Sequence, residues 1–380
     1  EALEDRLSQA WSPVSHMNSV VNNDALRDAY NACLPLLSEY STEMGQNSAL
    51  YEAYQTIADS DEFANLNQAQ QKTIENALRD FRLAGVALAD DKKQRYGDIK
   101  KRLSELTSKF SENVLDATQG WSKLISNVEE LAGVPESSQS AMAQAAKAKE
   151  QEGYLVTLEF PSYFPIVTYC DNAALREEVY EAFVTRASDQ GPNAGEWDNS
   201  ALIDEILALR HELAILLGFN NYAEYSLATK MAETPEQVLT FLQNLATKAY
   251  PQAQQEFAEL QAYAKDNFSV EKLNPWDVGF YSEKLRQHRY AISQEDLRPW
   301  FPVDKVISGM FAVVQRLYGI EIRALEQVDS WHADVRFYEI LLEGSVIGRF
   351  YLDLYARTGK RGGAWMDECR VRRRLADGEL

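Results

Sequence analysis

Apolar residues recur at helical spacing through the front of this chain, and that recurrence constrains its fold more than anything else in the sequence. Ile74, Leu78, Phe81, Gly85 and Leu88 step by four, three, four and three, and Ile99, Leu103, Leu106, Phe110 and Val114 by four, three, four and four. Each set draws one apolar stripe on a helix whose other faces carry Lys, Arg, Asp and Glu. The Ala-rich stretch 140–150 is a good helix by intrinsic propensity. Residues 1–152 therefore read as a helical domain.

The pattern changes at Gly153. Residues 154–159 alternate as a strand does, and Pro161, Ser162 and Pro165 punctuate the chain before a second expected strand at 166–169. Helical spacing resumes with Leu175, Val179 and Ala182, and the polar stretch 188–200 reads as a loop. Leu202, Ile206, Leu209, Leu213 and Leu216 mark a helix closed by Gly218. Val238, Leu242, Leu245 and Ala249 begin another, which Pro251 is expected to break or kink. Val303, Val306, Met310, Val313 and Leu317 form a last helix ending at Gly319. Residues 335–355 then read as a β-hairpin turning at Glu343, Gly344 and Ser345. The fold class is mainly α with a small antiparallel β element, and 153–380 forms the second part of the chain.

With 38 Lys+Arg against 58 Asp+Glu the net charge is −20, a field that repels nucleic-acid phosphates and disfavours anionic membranes. No apolar run approaches the ~18–20 residues of a membrane span. Cys33, Cys170 and Cys369 stand far apart with no CxxC pair, so neither a thiolate zinc site nor a disulfide framework is indicated, and a reducing compartment is expected.

Candidate chemistry is sparse. The histidines are His16, His211, His288 and His332. His211-Glu212 opens like the zinc-binding HExxH helix, but Ile215 stands where the second histidine must be. His332-Ala333-Asp334 fits either a hydrogen-bonded corner or a catalytic dyad. Gly359-Lys360-Arg361-Gly362-Gly363 is not a Walker loop, because Leu354 and Arg361 occupy the positions of its first glycine and its Ser/Thr. Glycines there suit a loop, or an edge where another backbone approaches closely. No Gly-x-Ser-x-Gly elbow occurs. Trp276-Asp277, Phe280-Tyr281 and Trp300-Phe301-Pro302 suit packing or a peptide cleft, and Arg370, Arg372, Arg373 and Arg374 form the one basic run.

Several blocks together closely resemble the thimet-oligopeptidase-like zinc metallopeptidases. They are Asn274-Pro275-Trp276-Asp277 with Tyr281-Ser282-Glu283-Lys284; Leu297-Arg298-Pro299-Trp300-Phe301-Pro302; Val328-Asp329-Ser330-Trp331-His332-Ala333-Asp334; and Phe350-Tyr351-Leu352-Asp353-Leu354-Tyr355-Ala356-Arg357, running on through Gly363-Ala364-Trp365-Met366-Asp367. Ser12-Pro13-Val14-Ser15-His16 and stretches 77–81, 113–118 and 185–193 agree as well.

The resemblance implies a helical metallopeptidase scaffold with a deep channel that admits short unfolded peptides, a cytoplasmic location, and zinc in the complete enzyme. Family members carry HExxH and a further Glu ligand after the glycine-rich block. This sequence ends before that point, so the C-terminal zinc half is expected to be absent and no catalytic or metal ligand maps onto it. No zinc is expected bound to this chain, and it is expected to be inactive alone. Gly362, Gly363, Ala364 and Trp365 are the candidate substrate-binding residues, expected as an edge strand that hydrogen-bonds peptide backbone. A zinc half acting in trans is one expected partner. The alternative is a catalytically silent peptide-binding or interaction protein.

Overall fold

In the computed structural model, residues 2–371 are described; Arg372, Arg373 and Arg374 lie outside them. The chain opens with α1 (Ala2–Val20), α2 (Asp24–Gly45), α3 (Ser48–Ala58), α4 (Gln68–Leu83) and the long α5 (Asp90–Gly120). It continues through β1 (Ser122–Ile125), α6 (Glu136–Ala148), β2 (Tyr154–Thr157), α7 (Phe160–Tyr169), α8 (Ala173–Val184), α9 (Ser200–Leu216) and α10 (Tyr222–Leu227). The last part holds α11 (Pro235–Phe268), α12 (Pro275–Tyr290), α13 (Gln294–Leu297), α14 (Val303–Tyr318), β3 (Glu321–Leu325), β4 (Arg336–Leu342) and β5 (Ser345–Leu352). The mainly α fold class holds.

Asparagine starts many of these helices. The side chains of Asn23, Asn47, Asn67, Asn172 and Asn221 each accept an N–H from the first turn they precede. These N–H groups have no partner within the helix, so each cap stabilises its helix by roughly 1 kcal/mol. At the other end, Gly218 and Gly319 take positive φ after α9 and α14, as the spacing predicted.

One sequence expectation fails here, at a proline-punctuated stretch. Residues 166–169 are not a strand but the end of α7. Pro161 sits in the first turn, where the missing N–H has no helical partner to lose, and Tyr163, Ile166 and Cys170 then fall on one buried face. Pro251 does not end α11, which runs 34 residues through it. Pro251 and Thr247, whose carbonyl it would have bonded, are both exposed, so water takes the freed acceptor.

The strands form two antiparallel sheets, β1–β2 and β3–β4–β5. The ladder from Ser122↔Thr157 to Ile125↔Tyr154 joins residues on both sides of position 152. The principal core does the same, bringing Ile125, Leu131 and Met142 against Val156, Ile166 and Val179. At its margin Arg176 is buried: its guanidinium donates to the Cys170 carbonyl at 2.7 Å and to Asp277 Oδ1 at 2.7 Å, with Phe280 stacked at 4.1 Å. Asp277 also accepts the backbone N–H of Asn274 at the start of α12. The pair thus ties α8 to α12 by satisfying a helix terminus with a buried charge. The expected hairpin is β4–β5, with Glu343 and Gly344 at positive φ in its turn. It gains a third strand, β3, whose Ile322 and Leu325 lie opposite Ile340 and Phe337.

Candidate functional site

Gly362, Gly363, Ala364 and Trp365 follow β5 but do not form the expected edge strand; their backbone is irregular. Gly363 has φ +92°, a region that breaks strand pleating and that side-chain-bearing residues avoid. The outer strands of the three-stranded sheet are β3 and β5. Among the described residues, no backbone N–H or C=O of 362–365 pairs with another backbone group. A Cβ built on Gly362 or Gly363 meets nothing within 4 Å. The glycine pair therefore offers open main chain.

The stretch leading into it is locked. Asp353, just beyond β5, accepts both guanidinium N–H groups of Arg357 (2.7 and 2.8 Å), the Lys360 ammonium (2.9 Å) and the Trp331 indole N–H (2.9 Å). Burial alone would raise the Asp353 carboxyl. Its bonds from Arg357, Lys360 and Trp331 outweigh that and hold it well below the usual carboxylate range. Lys360 also reaches the carbonyls of Asp353 and Tyr355, at 2.8 and 2.9 Å. Charge-assisted bonds in a partly buried setting fix the backbone from 353 to 360 far more firmly than a solvated loop.

Helix α1 meets this stretch from the opposite side. The N–H of Asn22 donates to Gly359 O and the N–H of Arg361 to Ser19 O, both at 2.8 Å. Arg357 donates to the Val20 carbonyl at 2.9 Å. Gly359 has φ +77°, and a Cβ there would stand 2.6 Å from the Asn22 carbonyl oxygen, so only glycine permits this approach. His16 Nδ1 lies 3.2 Å from Asp367 Oδ2, with its ring against Trp331 and Trp365. The Arg361 guanidinium lies over the Trp365 ring, at 4.2 Å.

Among the described residues, no catalytic constellation accompanies this junction. Glu212 is held by Arg95 and Ile215 is exposed, so the His211 stretch is a solvated helix face. At His332 the hydrogen-bonded corner is what forms: the N–H of Asp334 donates to His332 Nδ1 at 3.2 Å. Cys170 is buried, and burial pushes its thiol pKa up, away from nucleophilic use. Among the described residues no three His, Cys, Asp or Glu gather to hold a metal. The side chains present do not fit the zinc site that the resemblance implies for a complete enzyme. Of the aromatic residues singled out in the sequence, Phe280 and Tyr281 are core, whereas Trp300 and Phe301 are exposed.

Sequence reading missed the Asp353–Arg357–Lys360 lock and the part played by α1. The four-residue interval from Asp353 to Arg357 was visible, but periodicity has no means of pairing residue 19 with residue 361.

Comparison with known proteins identifies the family. Residues 166–379 match "Peptidase family M3", and residues 1–93 match "Neurolysin/Thimet oligopeptidase, N-terminal domain". Oligopeptidase A of Salmonella typhimurium is 59% identical over 378 residues, covering 99% of this chain and 56% of the relative. Oligopeptidase A of Escherichia coli is 59% identical over 379 residues, covering 100% and 56%. An organellar oligopeptidase A of Arabidopsis thaliana is 39% identical, covering 99% and 48%. The chain spans about half the length of the curated relatives it matches. With a family match across more than half its length, this chain belongs to peptidase family M3.

Proposed function

We propose that the chain is the peptide-holding front of a zinc-dependent oligopeptidase that acts on short unfolded peptides in the cytoplasm. The observation that carries this reading is the backbone of residues 362–365, open on its glycine face and reached through the firmly locked 353–361 stretch. An extended peptide satisfies such free main-chain groups with its own N–H and C=O, a mode largely indifferent to side-chain identity. A shape that accepts many sequences is what degradation of assorted short peptides requires.

The chain alone is proposed to bind peptide without cutting it, because no three His, Cys, Asp or Glu among the described residues gather to hold a metal. Cleavage is assigned to the portion of the relatives that this sequence does not match. The proposed docking surface for that portion, in trans or in one polypeptide, is the apolar side of α14 with the first half of α11. Leu242, Leu245, Met310, Val313 and Leu317 are 48–69% exposed on it. Apolar surface left in water at helical spacing is the complement of another folded polypeptide.

The test uses the purified chain, a fluorescein-labelled short Ala/Phe peptide and a quenched fluorogenic peptide with zinc present. Saturable binding without hydrolysis is expected, with hydrolysis appearing once the remaining C-terminal part of the E. coli relative is added. Unaided digestion, or no binding of the labelled peptide, overturns the reading.

A further inference from the structure

We infer that helix α1 is the positioning brace of the candidate peptide-binding backbone, with His16 as its positioning residue. The inference rests on the reading of residues 362–365 as the peptide-holding segment, and adds what sets that segment's shape. Five hydrogen bonds or ion contacts join α1 and the residues just after it to 357–368, and they fall into two groups. Upstream, Ser19, Val20 and Asn22 hold Arg361, Arg357 and Gly359 through main-chain atoms. Ser19 and Val20 contribute carbonyls from the last turn of α1, groups that a helix cannot satisfy internally. Downstream, Ser12 Oγ donates to the Glu368 carbonyl at 2.6 Å, and His16 meets Asp367.

The glycine pair lies between these two groups and touches neither. The segment is thus a span fastened at both ends and bare in the middle. This division suits recognition by backbone: ordering losses are met by contacts that ligand never touches, while the ligand-facing groups stay unpaired. A tether serving only to join the chain's two ends would need one of the groups, not both flanking an open stretch. His16 is the downstream side chain that also touches the segment itself, through the Trp365 ring at 5.5 Å. Its loss therefore frees the end of the span without disturbing the upstream group.

The experiment measures the affinity of the complete chain for the fluorescein-labelled Ala/Phe peptide, the amide exchange of 362–366, and the denaturation midpoint. His16→Ala is expected to weaken binding about fivefold, the worth of one hydrogen bond, and to speed that exchange, with the midpoint unchanged. His16→Asn, which returns an amide donor near the place of Nδ1, is expected to recover most of the affinity. Gly359→Ala, forced against Asn22, is expected to weaken binding at least as much. Wild-type affinity and exchange in both His16→Ala and Gly359→Ala overturn the inference, as does a loss of affinity that follows the midpoint alone. If the unaltered chain binds no peptide, the functional reading fails by itself. Exchange then decides the brace: faster in His16→Ala supports it, unchanged overturns it.

Discussion

Helices α5 and α14 carry the same kind of apolar stripe and meet opposite fates. Along α5, Ile99 and Leu106 are 0% and 2% exposed, and Ile99 packs with Leu213 of α9 and its neighbours. Along α14, Val306, Met310, Val313 and Leu317 are 47–69% exposed. The 34-residue α11 contains both situations. Leu260 and Ala264 are buried against α12, whereas Leu239, Phe241, Leu242 and Leu245 stand 51–65% exposed. A stripe thus certifies that a segment is an amphipathic helix and says nothing of whether this chain covers it. The front of the molecule is a finished core. Along α14 and the first half of α11 the stripe is folded but left in water.

The largest effect that sharpens this contrast is expected at the buried ion pair. Arg176→Ala leaves Asp277 charged and buried with its strongest donor gone, and should cost about 3–5 kcal/mol in urea denaturation. A loss below 1 kcal/mol would mean that water reaches Asp277 and that the finished core does not extend to α12. Next comes Leu106→Ala, which opens a cavity in the α5 face and should cost about 3 kcal/mol by the same measurement.

Asp353→Asn is expected to be smaller and local, about 2 kcal/mol, read as faster amide exchange at 357–361 with little change in the global midpoint. Its pH signature has a definite sign. A carboxyl held below its ordinary value contributes stability above the unfolded pKa near ~3.9, and loses it as pH falls through the lower folded value. Protection of 357–361 should therefore stay level from neutrality to about pH 4 and fall only in stronger acid, and Asp353→Asn should remove that acid dependence. Protection that already falls between pH 6 and 5 would contradict the lock.

The smallest effect is expected on the uncovered side. Leu242→Ala and Val313→Ala should each change stability by less than about 0.5 kcal/mol, because neither opens a cavity. A cost matching that of Leu106→Ala would break the comparison by showing these faces already covered, as by a second copy.

Most of the helices and the hairpin were legible because their signals are local. Stripe spacing and the glycines after α9 and α14 each act within a few residues. The misreading at 166–169 has a physical cause, since proline removes a single donor and burial of a helical face decides whether that matters, and of the two outcomes expected at Pro251 the helix does not break. Strands β1 and β3 were missed because they are four and five residues long and exist only through pairing with distant partners. At the candidate site, Gly362, Gly363, Ala364 and Trp365 were legible as a place where backbone is accessible. Their irregular path was not, since it is imposed by Asp353 before them and by α1 from the far end of the chain.

From its residues alone, the sequence determined a helical body, its element starts and stops, its acidic character and its kinship with peptidase family M3, all of which depend on local chemistry or on the order of residues. Tertiary structure alone decided which stripes are sealed, that Arg176 finds Asp277, and that residues 12–22 frame an open glycine pair some 340 positions away. The physical reason is that burial and long-range hydrogen bonding are properties of pairs of surfaces, whereas spacing and composition are properties of one.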